Sequence, residues 1–365
     1  MVKVLKNNVC DVKEDGITMK KLLLILCMIC LSAGVVYSFS GYDPAEGHLA
    51  VHFIDVGQGD AVLVQTKTHH VLVDGGDRGE IVPNYLLSRG IDAVDIVIGT
   101  HPHADHIGGL INVLRSIEVG EVIDPAVVHT TRTFEEYLTL IDEKDIPFTE
   151  GRAGMSRMIG PGVRMDILHP VNPSSDHLND ASIVARISYG SVSFMLTGDA
   201  ELSSELEMIN SGQTLRSTIL KAGHHGSRTS SSHAFLDAVD PEVVVIMTGE
   251  GNRYGHPHEQ TLAQFSRRDI EIYRTDWHGN IIISTDGTSY HIDVFEPYGD
   301  DSSYGININT ASLYRLQEII HISETRAQQL IDLRPFSSLD ELTRVSGIGA
   351  ARVRDIREQG LAFVE

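Results

Sequence analysis

Residues 94–109 read VDIVIGTHPHADHIGG. The first seven, Val94–Thr100, form a near-continuous apolar run. Such a run reads as a β-strand covered on both faces, as in a layered α/β protein. The strand pattern then gives way to H-x-H-x-D-H at 101–106 and to a helical pattern over Ile107–Ile117. The candidate ligands therefore lie on the loop that leaves a buried strand. His101 and His103 are two residues apart, so in extended backbone their side chains point the same way. Asp105 and His106 follow as the chain turns into the helix. The array can hold two ions, one on the paired histidines and one on the Asp and His. Imidazole with carboxylate suits zinc or manganese. A polar surface loop is the plainer alternative; the strand before it and Gly108-Gly109 after it argue for a built site.

Two later segments repeat the geometry. Phe194–Asp199 (FMLTGD) is an apolar strand ending in Gly-Asp, which puts Asp199 at the same sheet edge, able to bridge two ions. Ile219–Ser227 (ILKAGHHGS) is a strand ending in a histidine pair, and one of His224 and His225 completes the set. Further strands are expected at Leu49–Val56, Ala61–Gln65 and His70–Val73, and at 163–168, 182–187, 192–197, 217–221, 242–247, 271–274, 280–284 and 289–294. Helices are expected at 133–143, 201–210, 231–238 and 259–268. Strands with helices between and outside them imply a layered α/β domain over residues 48–297.

The 365 residues are 42% hydrophobic and 22% charged, an ordinary globular composition that excludes a wholly disordered chain. The 33 glycines recur at no fixed period, which argues against a repeat architecture. Twenty-nine Lys and Arg face 50 Asp and Glu, a net charge of −21, so a surface that grips nucleic acid everywhere through cations is excluded. Contact with a polyanion must be local or must use bound metal. The 18 histidines point to metal. Cys10, Cys27 and Cys30 all lie in the first thirty residues, so the rest of the chain holds no disulfide and no thiolate zinc site.

Lys20 and Lys21 precede an apolar run, Leu22–Val36, that ends in small and polar residues; residues 1–38 read as an extension and a secretory signal peptide. The alternative is an uncleaved membrane anchor through residues 22–36, although spanning a bilayer usually takes about 20 apolar residues. Residues 298–305 (YGDDSSYG) read as a linker. Residues 306–365 have helical periodicity and almost no strand signal. They carry 7 basic against 8 acidic residues, whereas 39–305 carries 17 against 39. The tail is the less repulsive part for a polyanion.

The H-x-H-x-D-H loop, TGD and GHHGS resemble the metallo-β-lactamase superfamily. FIDVGQGDAVLV (53–64), VLVDGG (71–76), LTGDAE (196–201), KAGHHGS (221–227) and NRYGHPH (252–258) resemble more narrowly the hydrolase domain of ComEC-type DNA-uptake proteins. The resemblance implies an αββα sandwich, α/β in class, with a dinuclear centre. One metal would take His101, His103 and Asp199; the other would take Asp105, His106, Asp199 and His225. It implies that Asp74, and less clearly Asp60, support the ligands from behind, and that His224 supports the site or meets substrate. Many members of the superfamily add a His before the bridging Asp. Here Asn179-Asp180-Ala181-Ser182 stands in that place, with His169 and His177 as the nearest histidines. His256 and His258 read locally as surface residues of a Gly/Pro loop. The resemblance moves them to the active-site edge, where one would contact phosphate or protonate a leaving group beside Lys221.

In the tail, Asn309 or Thr310 can cap a helix running to Ile320, Leu339–Val345 forms a short helix, and Ser346-Gly347-Ile348-Gly349 turns into a helix at 350–358. An ordinary helical hairpin explains this alone. The stretch from Asn307 to Val353, however, resembles a ComEA-type helix-hairpin-helix DNA-binding module, with a small all-α fold. Where that family has its first Gly-Ile-Gly, this chain has His321-Ile322-Ser323. The second hairpin, with Gly347, Gly349, Arg352 and Arg354, is expected to carry most of the DNA contact, to backbone and without sequence preference. The combined expectation is an exported metal-dependent nuclease. The alternatives are another exported hydrolase of this fold, such as an esterase, and a DNA-uptake accessory that only binds.

Overall fold

A computed structural model describes residues 49–295, 306–309, 311, 316–317 and 319–364 of the protein. The expected leader at 1–38, the linker at 298–305 and most of the helix expected from Asn309 or Thr310 to Ile320 lie outside the described residues. Among the described residues, no helix is long and apolar enough to cross a membrane.

The strands are β1 Leu49–Phe53, β2 Val62–Gln65, β3 His70–Val73, β4 Ala93–Ile98, β5 Glu118–Asp124, β6 Phe148–Glu150, β7 Ser156–Gly160, β8 Val163–His169, β9 Val184–Tyr189, β10 Val192–Leu196, β11 Ile219–Lys221, β12 Val243–Ile246, β13 Glu271–Arg274, β14 Asn280–Thr285 and β15 Tyr290–Phe295. They form two sheets, ordered β15-β14-β1-β2-β3-β4-β5-β6 and β13-β12-β11-β10-β9-β8-β7. The helices are α1 Ile81–Ser88, α2 Ala104–Ile107, α3 Leu110–Ser116, α4 Arg132–Glu143, α5 Leu202–Asn210, α6 His233–Val239, α7 Glu259–Ser266 and α8 Thr275–His278.

Strand alternation builds the layers. Val71 and Val73 of β3, with Ile96 and Ile98 of β4, face the second sheet, where Phe194, Leu196, Ile219, Val243 and Val245 meet them. Leu72 and Val97 turn to the outer face against Leu86, Ile107, Leu110, Leu114 and Phe134 of the helices. On the other side Met195, Leu220 and Val244 pack on Met208, Phe235, Leu236 and Phe265. Both faces of the central strands of each sheet are thus apolar and covered, and each such buried side chain contributes roughly 1.5–3 kcal/mol.

Most expected strands and helices form. The helix expected over Ile107–Ile117 is instead two, α2 and α3, divided at Gly108-Gly109. The expected strand Leu49–Val56 ends at Phe53. In the larger part five elements had no counterpart in the sequence reading: α1, β5, β6, β7 and α8. In β5 only the last three residues are buried, so its polar first half reads as a loop. β6 and β7 close the edges of their sheets and are mostly exposed.

In the tail, β16 Ile306–Asn307 pairs in parallel with β17 Ala362–Phe363 and closes a small helical unit. Helix α9 is Glu324–Asp332 and α10 is Ala350–Gln359; Leu339–Arg344 between them is a 3₁₀ turn rather than an α-helix. Ile308, Leu316, Ile322, Leu330, Leu342, Ile348 and Ile356 are among its core.

Candidate metal centre

Strands β3 and β4 run parallel, as do β10, β11 and β12, so their C-terminal ends open on one edge. Open α/β sheets place ligands at that edge. Asp74 follows β3, His101 follows β4, Asp199 follows β10 and His225 follows β11. The loops are laced together: Asp60 N donates to Asp105 O (3.2 Å), Gly75 N to His106 O (2.7 Å) and Gly109 N to Gly76 O (2.9 Å).

Asp199 is the hub. Its Oδ1 lies 3.3 Å from His106 Nε2 and 3.5 Å from His225 Nε2, and His225 Nε2 lies 3.5 Å from Asp105 Oδ2. Its Oδ2 lies 3.8 Å from His101 Nε2, which in turn is 2.9 Å from His103 Nδ1. Ligands held tetrahedrally at about 2.1 Å from an ion sit about 3.4 Å apart, which is the spacing found here. His106 Nε2, His225 Nε2 and Asp199 Oδ1 are buried with no hydrogen-bond partner among the described residues. Buried polar atoms are normally paired. Three unpaired ones converging at ligand spacing fit a cation.

The far sides of His106, His225 and His101 are held. Asp74 Oδ2 takes His106 Nδ1 at 2.8 Å, and Asp74 also accepts from Thr100 N (2.8 Å) and Thr100 Oγ1 (2.7 Å). Met247 O lies 2.9 Å from His225 Nδ1, with Asp60 Oδ1 at 3.3 Å. Ser182 Oγ, 3.3 Å from His101 Nδ1, also accepts from Asp199 N. Such outer partners set which ring nitrogen faces the metal.

Lys221 is placed differently from the expectation. It is 1% exposed, donates to Gly198 O (2.8 Å) and pairs with Asp60, so its ammonium sits behind the centre rather than in reach of a phosphate. His258 is also displaced: it stands at the N-cap of α7 and its Nδ1 accepts from Arg228 N (3.1 Å). His169 is turned to Ser182 O and Glu207, which removes it as a ligand.

The electrostatics ask for positive charge. Burial disfavours an ionised Asp199, yet the histidines His225 and His106 hold its carboxyl well below the usual range. Burial likewise opposes charge on His106 and His225; Asp199 and, for His106, Asp74 outweigh it, raising His106 well above its ordinary value and His225 to about 9. Burial and the neighbouring His106 push His101 down.

A cavity of about 380 Å³ opens over the centre, lined by His103, Asp105, Asn179, Asp199, His224, His225 and His256, and also by Gln58, His129, Thr131 and Tyr254. His256 Nδ1 is buried and unpartnered among the described residues. Burial, with His224 and His225 nearby, lowers His256 to about 4, so at neutral pH it is an uncharged imidazole. The last four lining residues, and Glu201 behind His224, were missed from the sequence. Glu201 lies inside the LTGDAE segment; His129 and Thr131 lie outside every motif. A larger apolar cavity of about 600 Å³, against α4, lies away from this convergence.

In the tail the two hairpins share one backbone form. His321 and Gly347 take positive φ, 71° and 78°. Ile322 and Ile348 are buried, and Ser323 and Gly349 are the extended N-caps of α9 and α10. The His321-Ile322-Ser323 departure therefore keeps the turn. His321 Nε2 pairs with Asp355 (2.7 Å), and Arg352 donates to Gly347 O. Arg354 is exposed.

Comparison with known proteins follows the same division. Residues 301–359 match the helix-hairpin-helix motif. ComE operon protein 3 of Bacillus subtilis (strain 168) is 30% identical over 269 residues, covering 68% of this chain and 34% of its own. Competence protein ComA of Neisseria gonorrhoeae is 32% identical over 256 residues, 69% of this chain and 34% of its own. A Thioalkalivibrio sp. (strain K90mix) protein named deoxyribonuclease is 32% identical over 92 residues, 25% of this chain and 26% of its own. The chain thus spans about a third of the length of the competence proteins it matches. With residues 54–250, more than half its length, matching the family described as the metallo-beta-lactamase superfamily, and with two covered sheets meeting at a His/Asp edge, the chain belongs to that superfamily.

Proposed function

We propose that the protein is an exported metal-dependent nuclease that hydrolyses DNA phosphodiesters, with two divalent ions, zinc or manganese, at the centre described above. His101, His103 and Asp199 hold one ion; Asp105, His106, Asp199 and His225 hold the other. Bound there, the ions supply acidification of a water and positive charge opposite the phosphate. The chain's own residues orient the ligands and offer hydrogen bonds to the substrate. Asp74 and Asp60 hold His106 and His225 with their Nε2 atoms toward Asp199. His256, neutral and facing the cavity, donates a hydrogen bond to a phosphate oxygen or the leaving oxygen. Lys221 acts from behind, through Asp60. Gly347, Gly349, Arg352 and Arg354 of residues 306–365 bind the DNA backbone and raise its concentration at the centre. The apolar run at 22–36 directs export or anchors the chain, ahead of the catalytic domain at 48–297.

The observation that carries this reading is the joining, in one chain, of a hydrolase fold with unpartnered metal-ligand atoms to a helix-hairpin-helix motif. The relative named deoxyribonuclease, similar over 92 residues, supports it. The test is incubation of the purified chain with single- and double-stranded DNA plus Mn²⁺ or Zn²⁺, beside Asp105→Ala. Metal-dependent cleavage is expected, reduced at least 100-fold in the variant. A folded, metal-loaded chain that leaves both DNA forms intact would favour the esterase alternative, which the surplus of acidic residues in 39–305 makes the natural second reading.

A further inference from the structure

The first ion of the proposed pair has only His101, His103 and Asp199, and Asn179 lines the same cavity. Asn179 turns its amide nitrogen to Glu201 Oε1 (3.3 Å) and to His224 Nδ1 (3.5 Å). That leads to His224, whose position needs an explanation of its own. Adjacent residues in a strand or helix point apart. His224 and His225 do not, because both sit in the left-handed region, at φ 48°, ψ 49° and φ 53°, ψ 30°. Non-glycine residues rarely adopt that conformation, and two in succession are rarer still.

The strained pair sends both rings to one carboxylate. His225 Nε2 lies 3.5 Å from Asp199 Oδ1, and His224 Nε2 lies 3.8 Å from Asp199 Oδ2. Oδ2 is the oxygen that His101 Nε2 also faces, at the same 3.8 Å. Behind the ring, His224 Nδ1 meets Glu201 Oε1 at 2.9 Å, and Glu201 is itself held by Thr229 Oγ1 (2.8 Å). A carboxylate on one ring nitrogen leaves the other as the lone-pair side, the arrangement of a ligating histidine with its outer partner. The same construction serves His106 through Asp74.

We propose that His224 is a ligand of the first ion, with Glu201 as its positioning residue. The GHHG turn then supplies one ligand to each ion, and Asp199 bridges between them. This rests on the metal-centre reading and not on the choice of DNA as substrate.

The test is metal content and visible absorption of the cobalt(II)-loaded full chain, after equilibrium dialysis. His224→Gly removes the ring while allowing the left-handed backbone. The wild-type chain is expected to hold two ions per chain, and His224→Gly and His101→Ala to lose the same one, with no further loss in the double variant. The ion retained at His106 and His225 reports that the fold persists. Glu201→Gln is expected to keep both ions, one bound about 10–100-fold more weakly. If His224→Gly holds two ions with wild-type affinity, or loses both together, the proposal is overturned. A wild-type chain that binds no cobalt would instead bring down the metal-centre reading itself.

Discussion

At Asp124, the last residue of β5, a carboxyl is 2% exposed and accepts from Ala126 N (2.7 Å). Burial pushes its pKa up from 3.8 to about 7. The folded protein therefore holds this proton where the unfolded chain has released it. The stability it lends is full below about pH 4, falls as pH rises, and levels off above about pH 7, a change on the order of 4 kcal/mol. Asp124→Asn keeps the acceptor and cannot titrate. The difference in unfolding free energy between wild type and variant, from urea melts at pH 4 to 8, is expected to follow that curve; a pH-independent difference would contradict it. The same physics runs the other way at the candidate centre. There carboxylates and histidines face each other closely enough that Asp199 stays ionised in spite of burial. The ligand types were legible in the sequence, because loop order and the strand in front of each loop place them. The outer partners were less so. Glu201 and Ser182 act through contacts 23 and 81 residues away, on His224 and His101.

At the scale of elements, the loop after β3 and the loop between α2 and α3 are pressed backbone to backbone. A Cβ at Gly109 would stand 1.9 Å from Gly75 O, so glycine is required where the loops meet, and Gly109 N donates to Gly76 O rather than along the helix, which parts α2 from α3. Gly109→Ala is expected to cost about 2–3 kcal/mol in chemical melts and to weaken metal binding, because Asp74, after β3, and His106, in α2, flank the contact being forced apart. Gly79→Ala, with open space around it, is expected to stay within about 0.5 kcal/mol of wild type. Equal effects at both positions would refute this account. The hairpins of the tail show the converse. Sequence reading sets His321 against the glycine expected there, yet the turn tolerates it at φ 71°, because its buried anchor, Ile322, is kept.

At the scale of the molecule, acidic charge is concentrated in residues 39–305 while the tail is nearly balanced, with four arginines between 344 and 357. If DNA binds there through phosphates, Arg354→Ala should weaken binding about equally for all sequences and lower the slope of log affinity against log salt by about 1. An unchanged slope would remove Arg354 from the contact set. The sequence by itself determined the two-part organisation, the α/β class of the larger part and the ligand loops. Buried strands are continuous apolar runs, and turns of His, Asp and Gly at their ends are local, so a linear text preserves them. Tertiary structure alone decided which side chains turn inward. Lys221 pairs with Asp60 from 161 residues away, the His258 ring accepts from Arg228 N, and β5 and the edge strands β6 and β7 form because neighbours complete them rather than because their own residues demand it. It also decided that His224 and His225, indistinguishable in a row, take the two oxygens of one aspartate, since that depends on a backbone conformation that residue type does not dictate.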